Sequence, residues 1–568
     1  MKNEFSPDWT EQPPGEKSYR SIFKWGAMDI FKHPNARLFK MMKEKFRLTD
    51  SDFLKKRFEG NETVLCRKKS RISRRHIDRI CSIVGRENVA VDDYSRVRFS
   101  YGKTIEEAME LRKGLSGNVT DLVVHPRDKE DVKKLVKYCG ENRIPVCVYG
   151  GGSSVTLGLS PARGGIMLVM GTHMNKIISL NEQNQTVTVQ PGMMGPAFED
   201  ALNNAPERSG AGRRYTCGHF PQSFEYSSVG GWVVTLGSGQ TSSYYGDAYD
   251  LVVSQEYVTP AATFKTLEYP ATATGPKLND IMKGSEGSFG VLVEVTMKIF
   301  RYMPENRRSF AFIFPSWKSA VDAAREISQG EFGSPSVFRL SDPEETDVAL
   351  KLYGIEGTVI DSLISLKGYK PMERCLFLGQ SEGEKNFTAN VKKQVKKICK
   401  KHGAMYLTGL PVKNWEHGRF TDPYMREDLQ DFGIVIDTLE SGVTWDGLMK
   451  LHEGVRKYIK SRPDTVCMTH GSHFYPQGTN LYFIFIFKTD SIKEYRKFQR
   501  GVIAAISKNG GSLSHHHGVG KMIAPFLEDH IGGAQMDVLR ALKRHFDPKN
   551  IMNPGGQLGL DLPRKRKK

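Results

Sequence analysis

Between Val291 and Phe300 the chain alternates. Val291, Val293, Val295, Met297 and Ile299 fall on one face of an extended segment, and Glu294, Thr296 and Lys298 share the other with Leu292 and Phe300. A period of two predicts a strand. A different period follows Asp128, a residue suited to cap a helix: Val132, Leu135, Val136 and Cys139 recur at helical spacing. Ile144 to Tyr149 then reads as a buried strand running into Gly150-Gly151-Gly152-Ser153-Ser154, and Ile166 to Met170 as another. Thr186 to Gln190 alternates until Pro191-Gly192 stops it, and a helix is predicted from Pro196 to about Asn203. Residues 1–100 read as mostly helical and charged, with KEKFRLTDSDFLKKRF and RKKSRISRRHIDRI as amphipathic surface helices. Strands and helices alternate again over 305–500, and FDPKNIMNPGG makes a turn-rich end to 501–568.

This mixture predicts an α+β protein with a mostly helical region at 1–100, a nucleotide-type domain at 101–304, a second α+β domain at 305–500 and a closing segment at 501–568. A chain of 568 residues is long enough for two or more cores. The longest strongly apolar run, Leu481 to Phe487, is far shorter than the roughly 20 residues of a membrane-spanning helix. The first twenty residues lack the basic-then-apolar order of a signal peptide, so a cytoplasmic protein is expected. Eight cysteines are scattered without a C-x-x-C pair, which argues against a disulfide framework or zinc knuckle. The net charge of +18 fits a basic solvated surface with a basic tail at Arg564 to Lys568; it also fits attraction to anionic headgroups or phosphorylated substrates. No nucleic-acid-binding signature accompanies it, and no nucleic-acid partner is expected.

Three glycine-rich stretches carry the candidate chemistry. VYGGGSSV (148–155) follows a strand and leaves backbone N–H groups free to curl toward a pyrophosphate, with Ser153 and Ser154 adding hydroxyls. Neither G-x-G-x-x-G nor G-x-x-x-x-G-K-[ST] occurs there. SFEYSSVGGWVVTLGSG (223–239) sets Ser223, Ser227, Ser228, Thr235 and Ser238 beside glycines, and GSEGSFGV (284–291) puts a turn before the alternating strand. Three such loops within about 150 residues fit one extended dinucleotide better than three unrelated turns.

In order, GGGSSV, TVTVQPGMMGPAFEDAL, GHFPQSFEYSSVGGWVVTLGSG, GSEGSFGVLVEVTMKIF, HHHGVG (515–520) and FDPKNIMNPG resemble the vanillyl-alcohol-oxidase (PCMH/VAO-type) flavoproteins. Within them the chain is most similar to the alkyldihydroxyacetonephosphate synthases, over roughly residues 90–555; SRVRFSYGKTIEEAMELRKG and GSLSHHHGVGK are the most specific segments. The resemblance implies a two-subdomain FAD-binding domain with an α+β cap and non-covalent FAD. It places cofactor contacts at Val148, Tyr149, Gly150, Gly151, Gly152, Ser153 and Ser154; at Gln222, Ser223, Phe224, Glu225, Tyr226, Ser227 and Ser228; at Thr235, Leu236, Gly237 and Ser238; and at Glu286, Gly287, Ser288, Phe289, Gly290, Val291 and Leu292.

The same resemblance puts an acid/base tyrosine at Tyr482, phosphate- and substrate-handling arginines at Arg339 and Arg426, and assisting histidines at His515, His516 and His517. A guanidinium suits a phosphorylated three-carbon substrate. Tyr482 shares an apolar strand face with Ile484 and Ile486, and three successive histidines on extended chain seldom converge on one ion, so no metal is expected. The implied reaction exchanges the acyl group of acyl-dihydroxyacetone phosphate for a long-chain fatty alcohol through a covalent flavin N5 adduct, with no net redox change. A homodimer in peripheral contact with the inner membrane surface is expected. Ile484 stands where the eukaryotic enzymes tend to have a second tyrosine, no peroxisomal address is apparent, and the NPGG ending is closer to bacterial oxidases of the superfamily. The alternative is an FAD-linked oxidase or dehydrogenase of a 2-hydroxy acid such as lactate or glycolate.

Overall fold

A computed structural model describes residues 11–54 and 59–562. The basic tail at 564–568 and the end of the KEKFRLTDSDFLKKRF segment lie outside the described residues.

Three sheets organise the chain. The first has the order Val89–Ala90, Leu122–Val124, Ile166–Val169, Val146–Tyr149, its last three strands parallel. The helix Lys129–Asn142 crosses between two of them. Asp128 caps it by accepting from the amides of Glu130 and Asp131, and left-handed Arg143 (φ 55°) ends it. Its predicted face, Val132, Leu135, Val136 and Cys139, is buried against the sheet. The turn-rich C-terminal segment closes this sheet, with Val146 N–H donating to Ile551 O and Asn553 N–H to Val146 O, each at 2.8 Å.

The second sheet is antiparallel, ordered Ile177–Asn181, Thr186–Val189, Val291–Lys298, Val252–Val258, Thr263–Lys265. The strand at 291–298 forms as its alternation predicts, but its apolar residues do not share one face. The pairing with Val252–Val258 shifts between Leu292 and Glu294, a bulge that reverses which side the following residues face. Val291 and Val293 therefore pack with the first sheet, whereas Leu292, Val295, Met297 and Ile299 pack in the core beneath the second.

The third sheet is eight-stranded and built from 308–488. Four helices, Trp317–Ser328, Lys385–Lys401, Leu448–Lys460 and Ile492–Lys508, cover one face and form with it the largest core. The strand Gly478–Lys488 shows why the sheet has two characters: Leu481, Phe483, Phe485 and Phe487 enter that core, and Tyr482, Ile484 and Ile486 point the other way, into a cleft.

The N-terminal region differs from a row of solvated helices. The helix Ala36–Phe46 ends at left-handed Arg47 (φ 53°) before a second helix, Asp50–Leu54. The basic stretch at 67–80 becomes helical only from Arg74, in Arg74–Val84. Leu38, Phe39, Met42 and Phe46 line the buried face of Ala36–Phe46, where Phe39, Met42 and Phe46 join Phe53, Leu429, Phe432 and Ile434 in one core. Upstream, Arg20 grips Asp431 with both guanidinium nitrogens (2.9 and 3.0 Å), and Arg112 reaches Asp431 at 2.5 Å and Glu427 at 2.7 Å. Buried charges persist only when paired in this way. Among the described residues no helix is long and apolar enough to cross a membrane.

Candidate active site

A cavity of about 500 Å³ lies between the first two sheets and the open face of the third. All three glycine-rich loops reach it. Val148, Gly150 to Ser154, Gln222, Ser223, Ser227, Ser228, Thr235, Gly237, Ser238, Glu286, Gly287, Gly290 and Leu292 line it. The first two loops touch: a Cβ on Gly151 would stand 2.7 Å from Ser227 Cα, and Gly152 adopts φ +79°, so neither position accommodates a larger residue without strain. The result is a backbone cradle open to an extended ligand, as a dinucleotide requires; Gln240 Oε1 on its wall has no partner among the described residues.

Other expected cofactor contacts lie off the cavity. Phe224 stacks on Trp232 and packs beside Phe220; Phe289 packs on Phe546, and Val291 belongs to the core of the first sheet. These apolar side chains support the loops from behind. Tyr149 meets Phe99 edge-on, Tyr226 meets Trp25, Glu225 is exposed, left-handed Leu236 (φ 55°) ends the helix Val229–Thr235, and the Ser288 carbonyl accepts from Lys543. Of these side chains Tyr149 reaches the cradle from behind, its phenol lying against Gly152.

Glu286 ties the third loop to the histidine segment. Its carboxylate accepts from the amides of Val519 (2.6 Å) and Gly520 (2.8 Å) and from Gln557 Nε2. Burial pushes its carboxyl up to about 7.

Facing the cradle is a dense set of ionisable groups. Tyr482 Oη lies 3.2 Å from Thr438 Oγ1 and 3.3 Å from His517 Nε2, and burial pushes the phenol up to about 12. One face of its ring stacks on His470, centroids 5.0 Å apart. Arg339 lies against that imidazole, Nη1 3.2 Å from Nε2, and pairs with Glu345 at 2.5 Å. The second Glu345 oxygen is 2.9 Å from His470 Nδ1. Burial alone would raise the Glu345 carboxyl, but His470 and Arg339 hold it at about 2. Arg426 also lines the cavity; its Nε and Nη2 donate to the carbonyls of Ile436 and Lys103, leaving Nη1.

The histidine triplet is held by Glu440, which is 2 % exposed and pairs in register with Tyr482. Its carboxylate accepts from Ser514 Oγ (2.7 Å) and from the amides of His515, His516 and His517 (2.5, 3.1 and 2.8 Å). His516 and His517 line the cavity, whereas His515 sits behind them against Tyr475. Burial, followed by the neighbouring histidines, drives His516 well below its ordinary value and leaves it neutral. Ligand-capable atoms of His473, His515 and His516 lie within 4.8 Å of one another, as do those of Glu440, His516 and His517. Neither group contains the whole triplet, and the Glu440 oxygens are already taken by N–H donors.

Beyond Tyr482 the cavity becomes apolar. Leu38, Met41, Met42 and Phe46 from the N-terminal helix face Ile436, Met468, Ile484 and Ile486 from the third sheet, with Val348 and Leu352 alongside. Sequence reading missed this arm, and also His470, His473, Glu345 and Glu440. Only the apolar face of Ala36–Phe46 gave a signal that could have found part of it.

A glycine-lined cradle opposed by a tyrosine, arginine and histidine face on an antiparallel cap sheet defines a flavoprotein, and FAD is its cofactor. The FAD-binding-domain family matches residues 120–268, and the FAD-linked-oxidase C-terminal-domain family matches 303–556. The chain is 31% identical to an alkyldihydroxyacetonephosphate synthase of Dictyostelium discoideum, over 82% of this chain and 77% of that one, and 29% identical to the Caenorhabditis elegans protein of that name, over 83% and 82%. A solved alkyldihydroxyacetonephosphate synthase superposes with a TM-score of 0.79 at 26% identity, covering 94% of this chain and 99% of the other. The chain belongs to the alkyldihydroxyacetonephosphate synthase family of FAD-dependent enzymes.

Proposed function

We propose that this enzyme replaces the acyl group of acyl-dihydroxyacetone phosphate by a long-chain fatty alcohol, forming an ether bond and releasing the fatty acid. The carrying observation is the two-part cavity: a cationic, histidine-lined floor at the cradle continues into an arm lined by methionine, leucine, isoleucine and phenylalanine. A lactate or glycolate oxidase has no use for that arm.

Bound FAD supplies an electrophilic ring on which C1 of the substrate can be activated without net redox change. The protein's residues do the rest. Arg339, braced by Glu345 and His470, presents its guanidinium to the phosphate, and Arg426 adds positive potential beside Tyr482. Neutral His516 removes a proton from C1, and Tyr482, protonated at any physiological pH, donates to the departing carboxylate oxygen. The C1–O bond to the acyl group breaks, the alcohol oxygen forms the new one while its proton restores Tyr482, and His516 returns the abstracted proton to C1. The apolar arm holds the chain and keeps water, the competing nucleophile, away from C1.

Peripheral membrane contact belongs to the same reading. The helix Val359–Leu366 exposes Val359 (76 %), Ile360, Leu363 and Leu366 (83 %), and it follows directly on cavity-lining Leu352 and Tyr353. An apolar helix beside the arm, on a chain of net charge +18, suits delivery of lipid substrates from an anionic surface.

The test is anaerobic incubation of FAD-loaded protein with palmitoyl-dihydroxyacetone phosphate and hexadecanol. Ether product with no net flavin reduction is expected. Bleaching by lactate or glycolate without ether product would overturn the reading.

A further inference from the structure

The hydrogen bonds behind the histidine triplet have a direction. Tyr475 Oη lies 2.6 Å from Asp247 Oδ2 and 2.8 Å from His515 Nε2. A phenol carries one proton, and a carboxylate only accepts. Burial pushes the Asp247 carboxyl up, yet His473 and His515 hold it below its ordinary value, so it is ionised and takes the Tyr475 proton. With the phenol proton spent on Asp247, His515 Nε2 donates to the phenol oxygen, and an imidazole with its single N–H on Nε2 has a bare Nδ1.

That bare nitrogen is 3.1 Å from His516 Nδ1, so the proton in this contact resides on His516. Glu440 Oε2, 3.7 Å from the same His516 nitrogen, favours a proton there as well. A neutral imidazole has one N–H. With it on Nδ1, Nε2 of His516 is a lone pair, and no described residue hydrogen-bonds to it. The ring carrying it lines the cavity. His473 does not interfere: its Nε2 faces the carbonyl of Gly239 at 3.0 Å and must donate to it.

We propose that Asp247, Tyr475 and His515 are positioning residues that fix His516 in the Nδ1–H tautomer, so that its Nε2 is the proton acceptor facing the substrate. The substrate named here rests on the exchange reading above; the tautomer does not. The two aromatic links sit on different elements, Tyr475 on the short strand Phe474–Tyr475 and His515 on the loop anchored by Glu440. Asp247 caps the helix Ala248–Leu251, which follows the second glycine-rich stretch in the chain, so the relay runs from the FAD side of the cleft to the cap.

The experiment is long-range proton–nitrogen correlation on FAD-loaded protein with ¹⁵N-labelled histidine at neutral pH. The wild type is expected to show His515 protonated on Nε2 and His516 on Nδ1. Asp247→Ala frees the Tyr475 hydroxyl to donate to His515, so both histidines should exchange tautomers. Tyr475→Phe removes the link and should give His516 a mixture, with kcat for exchange reduced roughly tenfold or more and KM for the phosphorylated substrate unchanged. Retained flavin absorbance verifies folding of each variant. A wild-type His516 protonated on Nε2, or tautomers unmoved in both variants, overturns the proposal. Tautomers that respond as expected in an enzyme that makes no ether product uphold the relay and sink the exchange reading instead.

Discussion

From Gly150 to Ser154 and from Ser227 to Ser238, the FAD side of the cleft carries no ionisable side chain. Across it, Arg339, Glu345 and His470 form one hydrogen-bonded group and Tyr482, His517 and Glu440 another, joined by the stacked rings of His470 and Tyr482. One wall recognises by backbone shape and the other by titratable groups, and the difference sets how each fails. A cradle of N–H groups is defined by the absence of side chains, so any Cβ is an obstruction. The cap is defined by mutual neutralisation, so removing one member leaves another buried and uncompensated.

The sharpest test of that contrast is Gly151→Val. Its branched side chain would meet Ser227 Cα, and FAD retention, read from the visible spectrum, should drop by a factor of ten or more, about 1.4 kcal/mol at least. Tyr482→Phe, by comparison, should keep the flavin while exchange falls by about 10²–10⁴-fold. Should it lose flavin too, the division of labour between the walls is wrong. Arg339→Lys keeps the charge but not the fork, and KM for the phosphorylated substrate should rise roughly tenfold with kcat little changed. Met42→Phe narrows the apolar arm and should shift the preferred alcohol toward a shorter chain, by about 0.8 kcal/mol per methylene excluded.

The smallest effect is at the seam. Glu286 is raised above its unfolded value, so the stability it contributes is fully present below about pH 4.5 and is lost as pH rises through about 7. Glu286→Gln should flatten the fall in denaturant midpoint over that window.

The two walls also differed in legibility. Glycine runs interrupt the hydrophobic pattern and announce themselves, so the cradle could be traced from residues 148–154, 222–238 and 286–292, although Phe224, Phe289 and Val291 turned out to be its backing. The cap side offered Tyr482, Arg339, Arg426 and the triplet only through resemblance to known flavoproteins. His470, Glu345 and Glu440 are single polar residues in ordinary strand and helix contexts; pairing register brings His470 and Glu440 beside Tyr482, and the helix Pro343–Leu352 brings Glu345 to His470. The bulge at Leu292–Glu294 shows the same limit within one strand: alternation identifies the strand, but the partner's spacing decides which core each side chain enters.

The pairing of Arg20 with Asp431 spans 411 positions of chain, and Arg112 joins the same carboxylate across 319. At a ribosomal pace of roughly 5–20 residues per second, Arg20 leaves the exit tunnel many seconds before its counter-ion exists. Through that interval the leading segment must stay hydrated, and its apolar helix has no surface to settle on. The last part of the cavity wall to take its place is therefore translated before the wall it completes.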